Sequence, residues 1–164
     1  MSKPQNPTSG EIGILQRRKI EAEIIKPLYE EMKAELGAAK AQAIIDKVIK
    51  TAAVTAGAHF AAKTPGAVDL LSFQDLQSLW TQDDALVIEV TQASAEAFDY
   101  NVVRCKYSEL YKQMGLGEIG HLLSCNRDGV FCQGYNPEIT LQRTQTLMQG
   151  ASHCDFRYKF KAKG

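Results

Sequence analysis

Apolar residues recur at spacings of three and four along the first third of the chain and alternate with polar ones towards its end. From Glu11, the segment GEIGILQRRKIEAEIIKPLYEEMKAELG places Ile20, Ile24 or Ile25, Leu28, Met32 and Leu36 on one face of an amphipathic helix. Pro27 removes a backbone donor inside it, which predicts a kink or a restart, and Gly37 is a natural stop. A second helix is expected over roughly Ala38 to Ala62, with Ala41, Ile44, Ile45, Val48 and Ile49 as its apolar positions. Its tail, TAAVTAGAHFAA, is small enough for close helix packing, and TPGAVD breaks it. A short helix near Ser72 to Trp80 leads to the acidic turn TQDDA.

Beyond that turn the period changes. LVIEVTQA and EAFDYNVVRC are rich in β-branched and aromatic residues and read as an antiparallel hairpin. Two helical pieces follow, Lys106 to Met114 and Leu116 to Cys125. Strands are then expected at VFCQGY, PEITLQRTQTLM and HCDFRYKF, the last two joined by QGAS. Helices first and mostly strands later make an α+β domain, with N-terminal helices packed on a meandering antiparallel sheet. Residues 1–10, rich in Pro, Asn, Ser and Gly, read as a disordered lead-in, and residues 11–164 as one domain.

Composition narrows the function classes. The 164 residues are 45% hydrophobic, enough for a real core. Nineteen basic residues balance nineteen acidic ones, so neither a nucleic-acid backbone nor an anionic membrane is indicated as a partner. The N-terminus lacks the apolar segment of a signal peptide, and no window approaches the ~18 apolar residues of a membrane span; a cytoplasmic protein is expected. In that compartment Cys105, Cys125, Cys132 and Cys154 are expected to be thiols, and their spacing contains no CxxC pair.

The densest chemistry lies between Gly115 and Asn136, GLGEIGHLLSCNRDGVFCQGYN. On one continuous helix, Glu118, His121 and Cys125 would share a face, so the histidine could accept the thiol proton and the acid could orient the ring. A polar helix end beside a core cysteine accounts for the same residues. Asn126, Arg127, Asp128 and Gly129 favour a turn, from which Asp128 and Asn136 could polarise an amidine or carbonyl, or could simply bond nearby backbone. In the last strand, Cys154, Phe156, Tyr158 and Phe160 face one way, which makes Cys154 a small core hydrophobe. Arg143 interrupts the more apolar face of the preceding strand and needs an anion, either an internal carboxylate or a ligand's. Cys105, Cys125 and Cys154 with His121 or His153 could be drawn as a zinc site, but no close ligand pair supports it, and neither metal nor cofactor is expected. His59 carries no expected chemistry.

Three segments together resemble the L-2-amino-thiazoline-4-carboxylic acid hydrolase family: EIGILQRRKIEAEIIKPLYEEMKAELG, the Ala-rich stretch after it, and the signature LSCNRDG, GYNP and RTQTLMQGASHCDFRY. The resemblance spans Glu11 to Phe160. Lys106 stands where the family typically has a proline after the cysteine. It implies a hydrolase-like domain that opens a small cyclic amidine, with L-2-amino-thiazoline-4-carboxylate converted to N-carbamoyl-L-cysteine. On that reading Cys125 attacks or activates water with His121 and Glu118, Asp128 holds the amidinium, Arg143 anchors the carboxylate, and Asn126 and Asn136 complete the substrate contacts. The ending CDF also resembles the ligand-binding domains related to four-vinyl reductase. That likeness implies the alternative, a noncatalytic small-molecule-binding or regulatory module; hydrolysis of another cyclic amide or amidine is a third option. Self-association into a homo-oligomer stays open.

Overall fold

Gly37 is the first decisive residue. Its φ of +82° suits glycine, its N–H bonds the Lys33 carbonyl, and its own carbonyl accepts from Ala41, so it ends one helix and starts the next. The computed structural model describes residues 12–161, which leaves the expected 1–10 lead-in outside the described residues. Helix α1 (Ile14–Leu36) continues through Pro27 rather than restarting there. Pro27 is exposed, so the carbonyl left without its donor faces water. Helix α2 (Ala38–Lys63) and α3 (Leu70–Thr81) follow, the latter opened by a reciprocal cap between Asp69 and Ser72.

Strands β1 (Leu86–Ala93) and β2 (Ala97–Cys105) form the expected hairpin. Helix α4 (Lys106–Gln113) starts at Cys105, whose sulfur accepts the Ser108 N–H at 3.3 Å. The next helix is only one turn, α5 (Gly120–Leu123). VFCQGY, expected as a strand, is instead part of helix α6 (Arg127–Tyr135). Tertiary packing overrides its β propensity. Phe131, Cys132 and Tyr135 are buried at helical spacing, and α6 crosses α2 so closely that a Cβ on Gly134 would overlap the Val54 carbonyl and one on Gly57 the Phe131 carbonyl.

Strand β3 (Ile139–Gln142) is shorter than the expected PEITLQRTQTLM. The chain leaves the ladder after Gln142 because the Asp155 carboxylate takes over, accepting from Thr144 N (2.9 Å), Thr144 Oγ1 (2.6 Å) and Gln145 N (2.9 Å). Strand β4 (Cys154–Phe160) completes an antiparallel sheet of order β1-β2-β4-β3. Helices α4 to α6 intervene between β2 and β3, so β4 is the strand that pairs with β2. Register sets Phe98 opposite Tyr158, Tyr100 opposite Phe156 and Val102 opposite Cys154, all on the buried face. This face packs with Leu70, Phe73, Phe131 and Tyr135 into one core, while α1, α2, α4 and α5 enclose a second around Tyr29, Ile49, Tyr111, Ile119 and Leu123. The architecture is α+β, with helices on one face of the sheet. Among the described residues no helix is long and apolar enough to cross a membrane.

Candidate functional site

A cleft of about 540 Å³ opens where α2, the start of α6 and β3 meet, lined among others by Lys50, Cys125, Asn126, Gln133, Thr140 and Arg143. Its volume falls within the ~300–1,000 Å³ of small-molecule sites. Arg143 enters because the chain departs from the ladder just after β3, carrying the guanidinium back towards α6. There Nη1 donates to Asp128 Oδ2 at 2.6 Å, Nη2 donates to the Cys125 carbonyl at 3.0 Å, and the guanidinium carbon lies 4.9 Å from the centre of the Phe156 ring. Its side chain is 14% exposed. Of the two anions the sequence left open for it, the structure supplies an internal carboxylate, Asp128.

Asp128 is in the first turn of α6, not in a turn between helix and strand. Burial pushes its carboxyl above the ordinary value, and the charges of Arg143 and Arg127 oppose that rise. Burial likewise pushes the Cys125 thiol up to about 12, reinforced by the negative charge of Asp128 and only partly offset by Arg143. At neutral pH Cys125 is therefore a neutral thiol rather than a thiolate.

The relay drawn on one helix does not assemble. Glu118 precedes α5, where Gly115, at φ +74°, and Gly117 loosen the chain; its exposed carboxylate accepts from Lys33 Nζ at 2.8 Å and Gln42 Nε2 at 3.3 Å. Cys125 follows the end of α5. Among the described residues no hydrogen bond joins the half-buried His121 ring to Glu118 or Cys125. Asn136 caps the end of α6, its side chain donating to the Val68 carbonyl (2.7 Å) and accepting from Glu138 N (2.9 Å), so both ends of its amide are committed to backbone.

Asn126 is tied to residues that sequence reasoning missed. Its Nδ2 donates to Asp46 Oδ1 at 2.8 Å, and Asp46 Oδ2 accepts from Lys50 Nζ at 2.6 Å. Burial works to raise the Asp46 pKa, but Lys50 and Asn126 hold it below the ordinary value, helped by the charge of His121. The only signal in sequence was an acid and a base four residues apart on α2, a pattern common on solvated helix faces. The remaining cysteines have structural places: Cys105 at the α4 cap, Cys132 buried on α6, and Cys154 accepting from Leu147 N at 3.2 Å. Among the described residues no group of three His, Cys, Asp or Glu side chains could hold a metal ion, so the thiol-rich set drawn from sequence does not converge.

The model of the L-2-amino-thiazoline-4-carboxylic acid hydrolase family matches residues 17–158. The chain belongs to this family. No match was found among proteins of curated function. Among solved structures, this hydrolase-family chain is similar to the phenol-responsive sensory domain of the transcription activator PoxR with phenol: 12% identity over 89% of this chain and 75% of that one, TM-score 0.53. It is also similar to trafficking protein particle complex subunit 3 from Naegleria fowleri covalently bound to palmitic acid, with 10% identity over 90% and 96% of the two chains and TM-score 0.51. At such identities the likeness is one of fold, and the family's site has to be read from this chain's own residues.

Proposed function

We propose that this protein hydrolyses a small cyclic amidine, L-2-amino-thiazoline-4-carboxylate, to N-carbamoyl-L-cysteine. The observation that carries the reading is the Arg143–Asp128 pair at 2.6 Å, one partner lining the cleft and the other behind it, in a chain of this family. The substrate bears a carboxylate and a protonatable amidine. Its carboxylate suits the bidentate face of Arg143. Once Arg143 turns to the substrate, the half-buried Asp128 loses its compensating charge and so becomes a stronger base.

In the reaction, water adds to the ring carbon bearing the exocyclic amine while Asp128 accepts its proton. The tetrahedral carbon collapses with cleavage of its bond to sulfur, and the proton passes from Asp128 to the departing sulfur. Substrate plus one water gives the ring-opened thiol, with both nitrogens kept in the new urea group. Asn126 holds the exocyclic amine, and Asp46 with Lys50 fixes the Asn126 amide. Cys125, kept neutral by burial, serves as a wall of the site rather than the nucleophile.

Release of free thiol from this substrate by the purified protein tests the reading. Asp128→Asn is expected to lower kcat by about 10²–10⁴-fold. Arg143→Lys should act mainly on KM, and Cys125→Ala should keep most turnover. Loss of turnover in Cys125→Ala with the fold intact would return the thiol to the centre of the mechanism. The second reading, a noncatalytic small-molecule-binding module, is favoured by the fold shared with a phenol-responsive sensory domain. Wild-type protein that binds the substrate without turning it over would establish that reading instead.

A further inference from the structure

The outward face of α1 carries an apolar stripe with none of the described residues upon it. Ile20, Ile24 and Leu28, four residues apart, are 47%, 65% and 55% exposed. On α2, which packs against α1, Ile44 and Val48 are exposed as well, and Thr51 and Thr55 turn their hydroxyls back to the carbonyls of Lys47 and Thr51, leaving their methyl groups outward. Charge brackets the α1 stripe. Arg17 stands seven residues before Ile24 and Glu31 seven after it, both exposed and neither in an ion pair among the described residues. Seven residues are close to two helical turns, so both charges fall on the Ile24 face, each about 10.5 Å along the axis from it.

This order is its own complement when reversed. An antiparallel copy of α1 laid across a two-fold axis at Ile24 sets Ile24 against Ile24, Ile20 against Leu28 and Arg17 against Glu31, the last two pairs occurring twice. We infer that this face joins two copies of the chain in a symmetric dimer, α1 against α1 and antiparallel. A lipid surface gives no role to the acidic end of the stripe, and an unrelated partner gives no reason for equal spacing of opposite charges about one isoleucine. A two-fold interface accounts for both.

Sedimentation equilibrium of the full chain over low to high micromolar concentration tests the dimer. Wild type is expected to reach twice the mass of one chain, and Ile24→Asp to stay monomeric with an unchanged circular dichroism spectrum and a cooperative melt. Arg17→Glu and Glu31→Arg, each alone, set like charges opposite one another and should weaken dimerisation by about tenfold or more. An equimolar mixture of those two variants should recover it, because one chain then presents only acids and the other only bases at the two positions. A monomeric wild type at every concentration overturns the inference. So does a dimer indifferent to the charge variants, or a mixture no tighter than either variant alone.

Discussion

A cysteine beside an arginine, a histidine four residues earlier and an acid three residues after it invites assignment as a nucleophile, and the surroundings of Cys125 argue the other way. Burial raises its pKa to about 12, and among the charges acting on it the carboxylate of Asp128 has the largest effect, also upwards. At pH 8 only a very small fraction of this thiol would be ionised. Cys105, at about 11, and Cys132, at about 12, are raised by the same cause. Native protein should therefore label very slowly with iodoacetamide at pH 8, and all four cysteines should react at ordinary rates once urea unfolds the chain. Mass spectrometry of the time course checks this, and rapid native labelling of Cys125 would restore its candidacy. Arg143 was the residue most legible in advance, since an arginine on an apolar strand face has to find an anion. Glu118 was the least, because its grouping with His121 and Cys125 rested on one continuous helix, whereas the chain there forms only the single turn Gly120–Leu123.

At the level of elements, the crossing of α2 and α6 holds the cleft in shape, and its closeness depends on two glycines. Gly134→Ala would drive a methyl group into the Val54 carbonyl, and backbone cannot yield as a flexible side chain can. Overpacking of this kind costs ~1–3 kcal/mol, more than the helix propensity alanine returns. Gly129, on the same helix, gives the opposite case: its added methyl would meet Leu141 side-chain atoms at 3.7 and 3.8 Å, ordinary contact, so Gly129→Ala should be neutral or stabilising by up to ~1 kcal/mol. Urea midpoints at unchanged slope would separate the two. The Ala-rich tail of α2 already announced close packing in the sequence, but its partner was hidden. Periodicity found α1, α2, α3 and the first hairpin as elements because each declares its own period, but on α1 and α2 it also picked apolar positions, Ile20, Ile24, Leu28, Leu36, Ile44 and Val48, that the fold leaves exposed; α1 buries Ala22 and Tyr29 instead. VFCQGY failed for the complementary reason: six residues with β-branched and aromatic character are too few to separate a strand from a helix that exists by virtue of packing on α2. The cleft, built where α2, α6 and β3 converge, depends on that helix, so its shape was not legible in the sequence, although the family resemblance already groups Cys125, Asn126, Asp128 and Arg143.

For the molecule as a whole, acid stability should report two opposed sets of carboxylates. Burial works to raise the Asp155 pKa, yet its bonds from Thr144 and Gln145 hold it below the ordinary value; Asp46 is held down in the same way by Lys50 and Asn126. A carboxyl depressed by folding adds stability that is complete above its unfolded pKa, about 3.9, and is lost as pH falls from there through the folded value. Asp128 has the opposite sign. Its folded pKa is raised, so its ionisation weighs against folding at neutral pH, and that penalty is relieved as pH falls through the folded value towards about 3.9. The relief comes first on acidification and the loss second. Urea midpoints from neutral pH downwards should accordingly rise by a small amount and then fall below about pH 4. Asp128→Asn should remove the rise, since the amide can still accept from Arg143 but no longer titrates. Asp155→Asn should lower stability at neutral pH and flatten the fall, with the Thr144 to Gln145 segment losing amide protection in hydrogen exchange. A profile that declines steadily from neutrality in both wild type and Asp128→Asn would mean that Arg143 outweighs burial at Asp128 in the free protein, so that the base strength the proposed hydrolysis needs arises only when Arg143 turns to the substrate.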